Sequence, residues 1–167
     1  MRTGTRTEVK RRWTPQGHRP VCRIKLGYDF TCLYAALAPL SGRLIALLLP
    51  DMTGKSFELF FHFFEQQVQN KYGHRKILLI LDQASAHRYN APRGSTVQLH
   101  YLPVASPELN CAERFFEELR KPLSNHIFQN IGQVERFVSK VLKKYYHNPK
   151  LIIQLCHFPY MQYDKLK

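Results

Sequence analysis

Apolar residues in the first hundred positions occur in short runs bounded by turn residues, which is the pattern of β-strands. Two of these runs, FTCLYAALA and LIALLLP, flank Ser41–Gly42, so a hairpin is predicted there. Two more, RKILLILD and VQLHYLP, follow later, and the ILLIL centre of the first is fully apolar, as in a strand buried in the middle of a sheet. A short strand remnant followed by a basic loop is predicted for residues 1–20.

The segment between the hairpin and the third run has a helical period instead. Asp51 or Thr53 is its predicted N-cap, and Gly73 is its predicted end. We interpret the apolar stripe of this helix as packed core, formed by Phe57, Phe60, Phe61, Phe64 and Val68.

Helical signals dominate the remainder of the chain. Helices are predicted for residues 111–128 and 131–146, followed by a short apolar turn at 151–156 and a ten-residue tail. Strands first, and then strands alternating with helices, predict an α/β fold with a mixed sheet flanked by helices. A chain of 167 residues is expected to form a single domain over 1–167.

The charge of the chain indicates a polyanionic partner. Lys and Arg together number 25 against 12 acidic residues, which gives a formal net charge of +13. Polyphosphate is the commonest partner of a small and strongly basic domain. This excess predicts a class of partner and does not identify a reaction.

Cysteine spacing and the apolar content of the termini exclude several classes of protein. The four cysteines form no C-x-x-C pair, so neither a zinc ribbon nor a disulfide framework is predicted, and free thiols are expected. The first twenty residues lack the apolar core of a signal peptide. No segment reaches the ~20 apolar residues of a membrane helix. We therefore expect a soluble cytoplasmic protein that does not contact the membrane.

Two acidic residues are candidates for a metal site. Asp82 follows the third apolar run directly, and Glu113 lies in the first turn of a later predicted helix. Carboxylates at these two places can converge over one edge of a sheet. Their hard oxygen ligands suit Mg²⁺ or Mn²⁺, and a pair of such ions can activate a nucleophile and stabilise the leaving oxygen of a phosphodiester.

Each of these residues also has a structural alternative. Asp82 is suited to cap the turn that follows it, and Glu113 is suited to a capping box with Asn110 as the N-cap. Neither role excludes metal binding. His87 fits a turn position and a phosphate contact equally well.

These stretches, taken together, carry a family resemblance. LLILDQASAH and, about thirty residues later, LPVASPELNCAERFFEELRK closely resemble the DDE transposases of bacterial insertion sequences related to mariner elements. RRWTPQGHRPV and CLYAALAPLSG are also similar to that family, and the resemblance extends from Arg2 to the LCHFPY segment at 155–160. The two acidic motifs in this order are specific, whereas either one alone is weak.

The resemblance implies a ribonuclease H-like fold and a triad of two Asp and one Glu or Asp that holds two divalent ions, Mg²⁺ or Mn²⁺. The second Asp of the triad corresponds to Asp82, and the terminal acid corresponds to Glu113. In an intact relative, water and then the freed 3′-hydroxyl would attack DNA while these residues hold the ions. The implied partner is DNA, at the element's ends and at the target, and a homodimer is compatible with the family. The implied location is the bacterial cytoplasm, at the nucleoid when DNA is bound.

The chain departs from the family pattern in two places. Cys111 stands where the family usually has Pro, at a helix start where Pro is replaceable. The family's first Asp lies in an Asp-Glu pair just before the MRTGT-like stretch, so it would here precede Met1, and Asp29 and Asp51 are poor substitutes. We therefore expect an N-terminally truncated catalytic domain with impaired activity that lacks the family's helix-turn-helix region.

Five basic or histidine side chains are candidates for phosphate contacts that position DNA without distinguishing its sequence: Arg11, Arg12, Arg19, Lys25 and His87. For the first four, a solvated basic loop is the alternative. Two other functions stay open. A non-catalytic DNA-binding remnant is favoured by the missing first Asp, and a nuclease acting on RNA hybrids is disfavoured by the SPELN segment.

Overall fold

The structure is a computed structural model that describes residues 1–11 and 13–158. Its strands are β1 (Arg2–Gly4), β2 (Phe30–Ala38), β3 (Arg43–Leu49), β4 (Ile77–Leu81) and β5 (Val97–Tyr101). Its helices are α1 (Gly54–Tyr72), α2 (Cys111–Leu123), α3 (Ile131–His147) and α4 (Pro149–Leu155). The predicted order of strands and helices is confirmed.

The first sheet has the antiparallel order β1-β2-β3. The predicted hairpin joins β2 to β3, with Ala38 opposite Arg43. Gly42 closes the turn with φ of 67° and donates its N–H to the carbonyl oxygen of Ala38 at 2.8 Å. A Cβ at Gly42 would lie 2.1 Å from the carbonyl oxygen of Pro149, so this turn also requires the absence of a side chain.

The second sheet contains β4 and β5, which are parallel, with Ile77 opposite Val97. This arrangement differs from the central strand that the apolar run RKILLILD predicts. Within the described part of the chain, β4 pairs with a strand on one side only, because a cavity separates it from β2. The predicted mixed sheet is therefore present as an antiparallel part and a parallel part.

Helix α1 covers one face of both sheets. Thr53 is its N-cap and accepts the Ser56 N–H at 3.3 Å, and Gly73 ends it, as predicted. The predicted phenylalanine stripe is core, because every member is at most 5% exposed. It packs with residues of β2, β4 and β5, including Tyr34, Leu79, Leu81 and Val97.

Helices α2, α3 and α4 pack against the opposite face of the first sheet. Phe115, Leu119, Val134, Val138 and Ile152 form the centre of this second cluster. Helix α2 ends at Leu123, five residues before the predicted end, because the backbone of Ser124 is extended and Asn125 has a positive φ of 61°.

The basic loop between β1 and β2 is attached to the body of the protein. The side chain of Asn125 accepts the Lys10 N–H at 3.1 Å, and the Asn125 backbone N–H donates to the carbonyl oxygen of Glu8 at 2.8 Å. The four cysteines are free thiols, as predicted. No helix in the described part of the chain has the length and apolar character that crossing a membrane requires.

Candidate active site

Asp82 lies directly after β4, at the end where β4 and β5 are held together. The Leu102 N–H donates to the carbonyl oxygen of Leu81 at 2.8 Å. The Gln83 side-chain amide donates to the carbonyl oxygen of Leu102 at 2.9 Å. These two bonds fix the chain on both sides of Asp82, and the backbone therefore holds this carboxylate at the edge of the sheet.

The Asp82 carboxylate has two polar neighbours. Its Oδ1 accepts the Ala84 N–H at 3.1 Å and lies 2.5 Å from Nδ1 of His87. The predicted capping of the following turn is thus confirmed. The Asp82 side chain is nevertheless 49% exposed. Because both contacts are made by Oδ1, the cap leaves the other oxygen of the carboxylate for a further role.

His87 is held from three directions. Its side chain is only 16% exposed, and its ring centroid lies 5.0 Å from that of Phe57. Its backbone carbonyl accepts the Tyr101 hydroxyl at 2.8 Å. A histidine packed in this way orients the Asp82 carboxylate, as a hydrogen-bonded second residue does at many metal sites.

Glu113 lies in the first turn of α2, as predicted, and Asn110 is the N-cap. The Asn110 side chain accepts the Ala112 N–H at 3.0 Å. The reciprocal half of the predicted capping box is not formed, because the Asn110 N–H donates to the carbonyl oxygen of Pro107. Glu113 therefore lies in the first turn of a helix, where the helix dipole attracts negative charge, without serving as a cap.

Asp82 and Glu113 line one cavity of about 610 Å³, together with His87. The amino group of Met1, on the same cavity wall, donates to the carbonyl oxygen of Leu33 at 2.7 Å. Burial lowers the pKa of this amino group to about 6, and the charges of Glu113 and Asp82 oppose that shift. Two carboxylates from elements far apart in the sequence therefore act on the same group.

The Asp51 carboxylate is held by hydrogen bonds outside this cavity. Its Oδ1 accepts hydrogen bonds from the Ser56 and Thr53 hydroxyls and from the Thr53 N–H, and these bonds lower its pKa. Asp29 and Asp51 do not line the cavity. Over residues 1–11 and 13–158, no three His, Cys, Asp or Glu side chains are grouped to hold a metal ion. Asp82 and Glu113 offer the hard oxygen ligands that Mg²⁺ or Mn²⁺ needs, but only two of them.

The predicted phosphate-binding residues have different surroundings. Arg11 and Arg19 are exposed on the loop between β1 and β2. The Lys25 ammonium instead donates to the carbonyl oxygens of Phe128 at 3.1 Å and Gln129 at 2.7 Å. Lys25 thus ties the loop to the connection between α2 and α3. Arg12 lies outside the described residues, and His87 contacts Asp82.

Arg120 lines the same cavity and was not predicted from the sequence. Its charge acts on the Met1 amino group in the direction that lowers the pKa of that group. Arg120 follows Glu113 by seven residues, which is about two helical turns, so both lie on one face of α2. This seven-residue spacing is visible in the sequence and could have identified Arg120 as a neighbour of Glu113.

Comparisons with known proteins identify a family and two structures of similar fold. A family model described as DDE superfamily endonuclease matches residues 1–135. No curated protein matches the chain. Two solved structures are similar in fold: the Mos1 transposase paired-end complex with left transposon end, at 17% sequence identity, and the Mos1 mariner paired end complex with Mn, at 18%.

Each of these structures superimposes with a TM-score of 0.64. The match covers 93% of this chain and 51% of the Mos1 chain, so the chain spans about half the length of the proteins that it matches. The predicted ribonuclease H-like α/β fold is confirmed.

Proposed function

The chain belongs to the DDE superfamily endonucleases, and from this premise we propose that it is a transposase catalytic domain that cleaves and joins DNA with Mg²⁺ or Mn²⁺. One observation carries the proposal. Asp82 ends β4 and Glu113 begins α2, and yet both line one cavity. The proposed setting is an insertion sequence in a bacterial cell, where the partners are the element's ends, the target DNA and a second copy of the chain.

Asp82 and Glu113 would hold the ion, and residues around them would position the two carboxylates. The bound ion would polarise the phosphodiester and favour ionisation of an attacking water. His87 and the Ala84 N–H fix the orientation of Asp82. Asn110 fixes the start of α2 and with it the place of Glu113. Ligands whose rotamers are locked in advance bind a metal ion at a smaller entropic cost.

The strongly positive charge of the chain supports DNA as the substrate, because each phosphate contact releases condensed counterions. Arg11 and Arg19 are exposed and are the proposed phosphate contacts, together with Arg12. Lys25 and His87 are kept as candidates, but each already has a protein partner. Contacts of this kind would position DNA without selecting its sequence.

The number of ligands limits the activity expected of the 167-residue chain. Two carboxylates hold one Mg²⁺ weakly, since this ion keeps much of its water shell. Two ions at close spacing repel each other, and a bridging carboxylate normally offsets that repulsion. In the resembled transposases, a first Asp on a preceding strand has this role. We therefore expect negligible cleavage and joining by the 167-residue chain, even with Mn²⁺ and the correct element ends.

The test compares strand cleavage by two polypeptides, the 167-residue chain and a chain with an added N-terminal strand that carries Asp-Glu. The longer chain should cleave, and Asp82→Ala or Glu113→Ala should abolish its activity. Glu117→Gln is the matched control, because this glutamate is exposed on the same helix and does not line the cavity. Robust Asp82-dependent cleavage by the 167-residue chain would contradict the expectation that two carboxylate ligands are too few for activity. Cleavage by the longer chain that is indifferent to both substitutions would contradict the proposed site.

A second function, DNA binding without catalysis, is favoured by one observation. The described residues contain no group of three metal-binding side chains. Under this alternative, the longer chain would bind DNA in a salt-dependent way and would cleave nothing with either metal ion.

A further inference from the structure

Helix α3 carries most of the unbalanced charge of the long helices. Basic and acidic residues are equal in number on α1, with two of each, and on α2, with three of each. Helix α3 has one acid, Glu135, against four basic residues: Arg136, Lys140, Lys143 and Lys144. The positive charge of the chain is therefore concentrated on particular surfaces, and α3 is one of them.

Three of these basic residues form one stripe, which we call the α3 stripe: Arg136, Lys140 and Lys143. All three are exposed, and their spacings of four and three residues place them on one face of the helix. The buried residues Val134 and Val138 lie on the opposite face. Within residues 1–11 and 13–158, no acidic side chain forms an ion pair with the stripe. Like charges at these spacings repel each other, so an anion bound across them would relieve that repulsion.

The α3 stripe lies along an open groove of about 560 Å³ that Leu48 also lines. Leu48 belongs to β3, which is an edge strand of the first sheet. Because the Leu33 N–H donates to Met1 on the β1 side, the even-numbered residues of β2 bond to their partners in β3, which are odd-numbered. Leu48 therefore directs its backbone N–H away from β2, toward the outer side of the sheet. A backbone N–H beside three cationic side chains is suited to a phosphate group.

The outer edge of β3 is closed to an added peptide strand. Ala46 directs its N–H to the same side as Leu48, and that N–H faces the hydroxyl of Tyr146, near the end of α3. The side chain of Tyr146 therefore occupies the middle of this edge. An acidic peptide could not extend the sheet there by β-strand addition, whereas a phosphate group needs only the groove. This difference favours a nucleic acid over an acidic protein as the bound polyanion.

The α3 stripe continues the basic loop between β1 and β2. The Lys25 ammonium donates to the carbonyl oxygen of Gln129 at 2.7 Å, and the N-cap of α3, Asn130, is the next residue. Nη1 of Arg136 lies 3.6 Å from the place that a Cβ on Gly132 would occupy, so the guanidinium reaches back over the first turn of the helix. Positive groups thus follow one another from the loop onto α3.

We propose that the α3 stripe binds the phosphate backbone of duplex DNA and extends the contact surface of the basic loop. The inference rests on DNA as the partner in the proposed function, and its residues lie outside the cavity that Asp82 and Glu113 line. From Arg136 to Lys143 the helix rises by about 10 Å. One strand of B-DNA has a phosphate about every 3.4 Å along the duplex axis, so the stripe matches about three phosphates. These contacts position the duplex and do not distinguish its sequence.

The test measures binding of an unrelated fluorescein-labelled DNA duplex by fluorescence anisotropy at several salt concentrations, without a divalent ion. Arg136→Gln, Lys140→Gln and Lys143→Gln should each reduce the slope of log K against log salt by ~1, and the triple variant should reduce it by ~3. A charge-preserving triple variant, with Arg136→Lys, Lys140→Arg and Lys143→Arg, should keep the slope of the unaltered chain. The thermal midpoint of each variant reports that it is folded.

The matched control removes three other positive charges, with Lys55→Gln, Lys71→Gln and Lys76→Gln. These lysines are exposed on α1 or between α1 and β4, and the control has the same net charge as the triple stripe variant. Its slope should change much less, because α1 packs on the opposite face of the first sheet from α3. Equal losses in the two triple variants would show that the net charge acts as a whole, and would overturn the proposal.

An unchanged slope in the triple stripe variant, with the unaltered chain bound to DNA at low salt, would overturn the proposal and leave the proposed catalysis untouched. Absence of any binding at low salt would overturn it together with DNA as the partner. A polyglutamate peptide that binds the unaltered chain as tightly as the duplex does, and that fails to bind the stripe variant, would identify an acidic protein as the partner, against the proposal. Cleavage is not measured, so an inactive metal site leaves the result unchanged.

Discussion

Two aspartates follow apolar strands in this chain, Asp51 after β3 and Asp82 after β4, and their surroundings differ. Asp51 accepts hydrogen bonds from the Thr53 N–H at 3.1 Å, the Thr53 hydroxyl at 2.7 Å and the Ser56 hydroxyl at 2.6 Å. Asp82 accepts one backbone N–H and contacts His87, and it lines the cavity that Glu113 also lines.

The difference follows from what comes next in the chain. Helix α1 begins three residues after Asp51, so its own first turn supplies the donors that bind the carboxylate. After Asp82 the chain makes a short turn and then forms β5, and no long helix begins until Cys111. A strand followed by an acid therefore predicts a carboxylate bound at the helix start where a long helix follows at once, and a carboxylate with one oxygen left over where only a short turn follows.

The largest expected difference is in metal affinity. Asp82→Asn should weaken Mn²⁺ binding by at least ~100-fold, more than the loss of an outer hydrogen-bond partner causes, whereas Asp51→Asn should leave it unchanged. Free Mn²⁺ is followed by electron paramagnetic resonance during titration. Glu113→Gln should behave like Asp82→Asn, with Glu117→Gln as the control on the same helix. Equal losses in the Asp51 and Asp82 variants would remove the contrast.

A smaller effect is expected from the residue that orients Asp82. His87→Ala should weaken Mn²⁺ binding by ~10-fold, as is typical of outer-shell partners. His87→Asn should restore part of the affinity, because its amide nitrogen can lie near the position of Nδ1 and donate to Asp82. The thermal midpoint of both variants is measured in parallel. Equal affinity in the two variants would show that His87 acts only through packing against Phe57.

The hydrogen bonds that Asp51 accepts at the start of α1 should appear in the pH dependence of stability. Its pKa is lowered by hydrogen bonds from Ser56 and Thr53, so the ionised form is favoured in the folded state. That contribution is complete above the ordinary pKa of 3.8 and is lost as the pH falls through the lowered value. Asp51→Asn should therefore flatten the acid side of a plot of thermal midpoint against pH. An unchanged acid side would contradict a stabilising role for these hydrogen bonds.

The smallest expected effects concern single basic residues. These too differ in whether the side chain is exposed or already bound to the protein. Binding to an unrelated DNA duplex, measured by fluorescence anisotropy at several salt concentrations, should weaken steeply with salt. Arg11→Ala and Arg19→Ala should each reduce the slope of log K against log salt by ~1. Lys25→Ala should act mainly on the stability of the fold and should change the salt slope less than the two arginine substitutions do. The reason is that the Lys25 ammonium donates to the carbonyl oxygens of Phe128 and Gln129. A full slope change from Lys25→Ala would reverse this assignment.

Most of the elements and their local chemistry could be predicted from the sequence. The phenylalanine period predicted the buried face of α1, and Thr53, Gly73 and Asn110 predicted helix ends that the structure confirms. These features depend on residues within one or two turns of each other. A pattern of that range is visible in any linear stretch of the chain.

Contacts between polar groups from distant segments could not be predicted in this way. The pattern could not show that Arg120 shares a cavity with Glu113 or that Lys25 binds two carbonyl oxygens. It also predicted a central position for β4, which has a partner on one side only among the described residues. An apolar run indicates that a strand is suited to burial on both faces. Which neighbours provide that burial depends on contacts between segments far apart in the sequence, and these contacts leave no local periodicity.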